Sequence, residues 1–191
     1  MRPGLWIIAL WVAFAASWLL AAGWSSSADK RLGLRGELGF RVLLILGGVI
    51  LAVRAHGYVG PLRLWFVTWA EAWTCVGAIA CGFAFAWWAR IRLGALWSGQ
   101  ITRKTDHRVI DSGPYAIVRH PIYTGLLLAV YATAAAKGTV TGVAGALIIT
   151  IGLWMKARME EQWLAKELDA SAYLAYRRRV PMLLPFGPKA R

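Results

Sequence analysis

The chain has 191 residues, of which 59% are hydrophobic and 16% charged, where soluble domains carry about 25% charged residues. The apolar residues fall in long runs, which excludes an ordinary water-soluble domain and points to a bilayer. The net charge is +13, but the basic residues sit in short segments between apolar runs, so lipid head groups and not nucleic acid are their expected counter-charge.

Five membrane segments are predicted. The first covers about residues 5–24 and is read as a retained helix, although Ala21-Ala22-Gly23 also suits a signal-peptide cleavage site. The second, about 38–53, is short and starts beside Arg41; the third, about 66–89, is rich in Trp, Phe and Ala. Trp65, Trp69 and Trp73 repeat every four residues and read as one helical stripe in an interfacial belt. Glu71 is an acid inside an apolar run, hence a functional candidate or an interfacial residue. Cys75 and Cys81 stand six apart, about 9 Å along a helix axis and on different faces, which fits neither a disulfide nor a metal pair.

A polar stretch, Arg90 to His120, follows. Two further apolar runs, about 121–136 and 139–155, are joined by Lys137-Gly138, a connection short enough to force an antiparallel hairpin. Placing the loop 25–41, the stretch 90–120 and the tail 156–191 on one side gives that side 18 basic residues against 4 on the other. This split predicts five spans with the N-terminus outside and the C-terminus cytosolic. The expected organisation is an N-terminal three-helix membrane region (1–89) and a region carrying the chemistry (90–191), in an all-α integral membrane protein with a C-terminal hairpin and a cytosolic site.

The chemistry-bearing residues cluster at that cytosolic face. Pro121 opens an apolar run and suits a helix N1 position, which aims the positive end of the dipole at the polar side, beside Arg119 and His120. Gly113-Pro114 demands a turn that returns Tyr115 and His107 toward the same end. Glu160 and Glu161 lie at the cytosolic end of the partner helix, or serve as helix-face partners of neighbours such as Lys156. Such a pocket has an anion-binding end and an acidic end, and suits a zwitterion with a nearby cation. Arg177 to Arg179 read as a head-group anchor. No glycine-rich turn after a strand supports a soluble dinucleotide-type fold, and no ligand spacing suggests a metal. A non-enzymatic transporter or accessory subunit is the competing reading, and it calls for polar residues at mid-membrane.

Arg119-His120-Pro121-x-Tyr123 after Gly113-Pro114-Tyr115, then a hairpin, then Glu160-Glu161 and Tyr173-x-x-Tyr176 before basic residues and Val180-Pro181, resembles the isoprenylcysteine carboxyl methyltransferase family. It is similar, more loosely, to the phospholipid N-methyltransferases. The resemblance covers about residues 90–186 and implies S-adenosylmethionine as cofactor and a lipophilic or lipidated acceptor. It implies cofactor contacts at Gln100, at His107, Arg108, Val109 and Ile110, at Tyr115, at His120, Pro121, Ile122 and Tyr123, and at Glu161. The family's substrate arginine aligns with Ala157, between Lys156 and Arg158. Arg158, as its replacement, and Glu160, as a base for an acceptor that must lose a proton, are the expected catalytic residues.

Overall fold

The computed structural model describes residues 2–24, 30–31, 34–53, 62–94, 97, 102–103, 110–167 and 170–189. Helix α1 (Pro3–Leu20) runs into a 3-10 turn (Ala21–Trp24). Helix α2 is Leu34–Ala52 and α3 is Trp69–Leu93. A short α4 (Pro114–Ile117) precedes α5 (Pro121–Lys137), α6 (Val140–Glu167) and α7 (Ala170–Arg179). Two two-residue strands, Lys30–Arg31 and Thr102–Arg103, pair antiparallel; they are an addition to the expected all-helical plan.

Local chemistry sets the helix ends. Thr68 caps α3 through its hydroxyl, which accepts from the Glu71 N–H, while the Glu71 carboxylate takes the Thr68 N–H at 2.7 Å. Glu71 is thus an exposed capping residue at the start of α3. The same cap corrects the tryptophan stripe. Trp65 lies ahead of the helix and donates its indole N–H to Ala135 O at 2.9 Å, whereas Trp69 and Trp73 meet edge-on within α3. The hairpin forms as expected: Gly138 ends α5 in the left-handed conformation (φ 60°), and Thr139 Oγ1 accepts from the Gly142 N–H to begin α6. A Cβ at Gly138 would lie 2.3 Å from Trp65 O, so both the turn and the segment laid over it require glycine. Lys137 closes the far end of α2 by donating to Leu51 O and Val53 O.

The five long helices alternate in direction. Trp6 meets Trp73 and Trp18 meets Trp87, so α1 and α3 run the same way. Gly82 faces Gly125 and Ala129 while Ala86 faces Gly125, so α3 and α5 are antiparallel, as are α2 and α6 where Gly47 and Leu51 meet Ile149 and Gly145. Glycines and alanines at these crossings let backbones approach closely, the usual basis of helix association in lipid. Among the described residues three helical stretches, Pro3–Trp24, Trp69–Leu93 and Val140–Ala165, are long and apolar enough to cross a membrane. Helix α2 has 19 residues but carries Arg35, Glu37 and Arg41 in its first two turns, and α5 has 17 residues, about 25 Å of helix. Between α1 and α2, floored by α5 and α6, lies a cavity of about 950 Å³ lined by residues such as Trp11, Leu44, Leu126, Val130 and Leu153.

A Cβ at Gly125 would sit 2.4 Å from Gly82 O, a backbone atom that cannot swing aside. Gly125→Ala is therefore expected to destabilise the bundle by about 1–3 kcal/mol through overpacking. Gly77→Ala, which meets nothing within 4 Å, gains up to about 1 kcal/mol of helix propensity instead. Equilibrium unfolding in detergent of the two variants beside the parent chain checks the contrast.

Candidate functional site

The end of the bundle that carries the start of α2, the end of α3, the start of α5 and the polar half of α6 is also where α4 and α7 pack. Pro121 occupies N1 of α5 and leaves His120 at the cap, and the chain ahead of it is extended against the tail. Arg119 N–H donates to Pro181 O at 2.9 Å and His120 N–H to Met182 O at 3.1 Å. Thr124 Oγ1 donates to Leu183 O at 2.6 Å, so residues 181–183 clamp the first turn of α5. One first-turn amide expected to face a ligand is thus taken by a backbone carbonyl.

Arg119 and Glu161 form the centre of this end. The Arg119 Nε donates to Glu161 Oε1 at 2.6 Å, with the two side chains only 5% and 3% exposed. The remaining guanidinium donors reach Arg177 O and Val180 O, the carbonyls at the close of α7. Arg177 also turns inward, its Nε 3.4 Å from Glu161 Oε2, and Arg179 pairs with Asp111 at 2.9 Å. Two of the three tail arginines expected to anchor head groups are therefore directed at acids of the protein, while Arg178 is exposed.

Glu160 faces a second group. It accepts from the Tyr123 hydroxyl at 2.5 Å and lies 3.4 Å from His120 Nδ1 and 3.9 Å from Lys156 Nζ. The rings of His120 and Tyr123 are parallel, 5.4 Å apart. Lys156 sits 5.4 Å from the Tyr123 ring centre on one side and 5.6 Å from that of Phe40 on the other, a cation shared by two aromatic faces. Beyond Phe40, Glu37 is 1% exposed and ion-paired with Arg41. The ladder His120–Tyr123–Lys156–Phe40 ties α5 and α6 to α2.

His120 is 9% exposed. Its Nε2 is 3.4 Å from Glu161 Oε1 without the geometry of a hydrogen bond, and among the described residues it is buried with no hydrogen-bond partner, as is Arg177 Nε beside it. Burial opposes the charged imidazolium, but Glu160 and Glu161 outweigh it and hold His120 above the ordinary histidine range. Burial also pushes Tyr115, Tyr173 and Tyr176 up, so their hydroxyls stay protonated; Tyr176 donates to Tyr115 O at 2.8 Å.

Of the residues expected at the site, the fold brings together His120, Tyr123, Glu160 and Glu161. Pro121 and Tyr115 are buried beside them, and Ile122 and Ile110 pack with Tyr115 and Ala89 as an apolar wall. Gln100, His107, Arg108 and Val109 lie outside the described residues. Arg158 does not join the others: it is exposed, with its guanidinium 5.5 Å from the Trp154 ring on the outer face of α6. Lys156, two residues earlier, is the flanking cation that reaches the cluster. Sequence reasoning passed over Glu37 and undervalued Arg119. The signal for Glu37 was an acid four residues before Arg41 in an otherwise apolar stretch.

A His120 held above its unfolded value of 6.5 contributes stability that is complete below about pH 6.5 and is lost as pH rises through the raised value. The unfolding midpoint is expected to fall between pH 6 and pH 8.5 more steeply in the parent chain than in His120→Gln; a pH series of thermal melts in detergent checks this.

Residues 75–166 match the sequence profile of the Isoprenylcysteine carboxyl methyltransferase (ICMT) family. Methanethiol S-methyltransferase 2 of Bradyrhizobium diazoefficiens is 45% identical over 71 residues, which are 37% of this chain and 26% of that protein. Protein-S-isoprenylcysteine O-methyltransferase B of Arabidopsis thaliana is 24% identical over 135 residues, 70% of this chain and 63% of that protein. The chain spans about a quarter of the first relative and just under two thirds of the second. Over α3, α4, α5 and most of α6, the stretch that positions His120, Tyr123, Glu160 and Glu161, this chain matches the isoprenylcysteine carboxyl methyltransferase family.

Proposed function

We propose that this chain is an integral membrane methyltransferase that binds S-adenosylmethionine at the His120–Glu160–Glu161 end and methylates a lipophilic acceptor. All five long helices span the bilayer in this reading, with the N-terminus outside and the site cytosolic. The alternating helix directions support that topology, as does the sequence split that gives 18 of the 22 basic residues to segments 25–41, 90–120 and 156–191.

The observation that carries the reading is the buried His120. Among the described residues its Nε2 has no hydrogen-bond partner, and it stands next to a Glu160 carboxylate that is 19% exposed. A buried donor left unsatisfied costs about 1–3 kcal/mol, which a ligand acceptor removes. The pair offers a donor for an amino acid carboxylate and an acid for a neighbouring positive charge, and the residues present therefore fit the cofactor. S-adenosylmethionine supplies a methyl group already activated as a sulfonium. The chain's own work is alignment and exclusion of water. Arg119 and Arg177 fix Glu161, the Tyr123 hydroxyl and Lys156 fix Glu160, and residues 181–183 fix the backbone of His120. The cavity between α1 and α2 reaches Leu126 and Leu153, each about two turns from His120 and Glu160, and is suited to the apolar part of an acceptor. A transporter is disfavoured, because among the described residues Glu37, Asp111, His120, Glu160 and Glu161 gather at one end and Glu71 caps the other end of α3, not mid-membrane.

Calorimetric titration of the detergent-purified chain with S-adenosylmethionine tests the proposal. Saturable binding is expected, weakened about 10- to 100-fold in His120→Ala, as loss of a hydrogen bond to a charged group implies. A folded parent chain that binds no S-adenosylmethionine contradicts it.

A further inference from the structure

The cavity between α1 and α2 has two unlike ends. Its walls are apolar over most of their length, with Trp11, Leu44, Val130 and Leu153 among them, but at the hairpin end its lining includes Arg63 and Lys137. Tertiary structure brings these two cations to one rim. Leu64 N–H donates to Gly138 O at 2.8 Å and Val140 N–H to Leu62 O at 2.9 Å, so the stretch holding Arg63 lies across the turn that follows Lys137. Both side chains are half-buried. Arg63 rests over the Phe66 ring, and Lys137 donates to Leu51 O and Val53 O; a ring and carbonyls hold a cation without cancelling its charge. The segments that meet at this end, 1–4, 52–68 and 136–141, contain no aspartate or glutamate. Glu71, a little further on, is held by Thr68 in the cap of α3 and does not line the cavity.

The depth of the cavity matches one leaflet. Its lining runs along α5 from Lys137 back to Leu126, about 16 Å, and along α6 from Thr139 to Leu153, about 21 Å. Half of a bilayer's hydrocarbon core is about 15 Å. The exposed Trp65 and Trp69 stand at the same end as the two cations, the level at which tryptophans meet head groups. A phospholipid combines an apolar length of one leaflet with a phosphate at that level. Arginine meets phosphate with a planar fork and lysine as a point charge. A zwitterionic head group brings its own cation to a rim that already holds two, and a net anionic head group does not.

We infer that this cavity binds an anionic phospholipid of the leaflet opposite the His120–Glu160–Glu161 end, its phosphate at Arg63 and Lys137 and an acyl chain laid between α1 and α2. The inference rests on the chain spanning a bilayer and not on methyl transfer. The acyl chain runs toward Leu126 and Leu153, so the bound lipid also sets the room left for the apolar part of an acceptor.

Native mass spectrometry of the delipidated full chain in detergent, titrated with dioleoylphosphatidylglycerol or dioleoylphosphatidylcholine, tests this. The phosphatidylglycerol adduct is expected to form about 25-fold more tightly, at about 5-fold for each cation, the scale of a basic residue at an anionic lipid surface. Arg63→Gln and Lys137→Gln are each expected to lose about 5-fold for phosphatidylglycerol and little for phosphatidylcholine. Gly48→Phe is the independent arm. Gly48 lines the cavity and a Cβ there meets nothing within 4 Å, so the ring enters the path of the acyl chain and α2 gains helix propensity. This variant is expected to lose both lipids while keeping the parent's helix content. Equal binding of the two lipids, undiminished phosphatidylglycerol binding in Arg63→Gln and Lys137→Gln or in Gly48→Phe, or a two-chain species in place of a lipid adduct overturns the inference and leaves the methyltransferase reading standing.

Discussion

Arg119 and Glu161 stand 2.6 Å apart with both side chains almost wholly shielded from solvent, and the rest of this end is arranged around them. Burying two charges costs several kcal/mol for each ion, and attraction offsets that only when the remaining donors and lone pairs are also filled. Here the fold fills them in part, since Arg177 Nε stands 3.4 Å from the second Glu161 oxygen without a hydrogen bond. The other Arg119 donors close the last carbonyls of α7, and Arg177 approaches the second Glu161 oxygen. Three stretches distant in sequence, 118–120, 160–161 and 177–183, are thereby held to one another. The His120 backbone and the tail carbonyls then fall into register without any further device.

The bundle supplies the platform. Close backbone crossings at Gly82–Gly125 and Gly47–Gly145 fix α5 against α3 and α6 against α2, which sets the height at which α5 begins relative to α6. That height puts Tyr123 opposite Glu160 and lets Lys156 reach between Tyr123 and Phe40. Helix α2 therefore does more than complete the membrane region. Through Phe40, over which Lys156 lies, and the buried Glu37 it packs against the residues of that end. On the opposite side Arg90, fully buried beneath Trp97 and Trp24, ties the end of α3 to the end of α1.

Hydropathy made the positions of α1, α3 and the hairpin legible, because apolar runs and helices coincide there. The apolar run closes near 155 while α6 continues past Glu160 and Glu161 to Glu167, since Lys156, Arg158, Glu160 and Gln162 favour helix as well as leucine does. Loss of apolarity marks where a helix leaves the bilayer, not where it ends. Trp65 was drawn into a helical stripe by spacing alone, although Thr68 and Glu71 spell a capping box three residues further on. At the site, His120, Tyr123, Glu160 and Glu161 were legible because Pro121 fixes a helix start and the hairpin brings both ends together. The partner of Glu161 was not, being 42 residues away and set by tertiary packing. Lys156 and Arg158 differ by about 200° around the helix, and only the neighbouring helices decide which one faces inward.

The central claim is that the Arg119–Glu161 pair, and not general packing, organises this end. A double-mutant cycle with Arg119→Met and Glu161→Met, read by equilibrium unfolding of the detergent-solubilised chain, tests it most directly. Each single change strands a buried charge and is predicted to cost about 3–5 kcal/mol, while the double variant recovers at least about 2 kcal/mol of the sum. Strictly additive losses would contradict the account and assign the two residues independent roles.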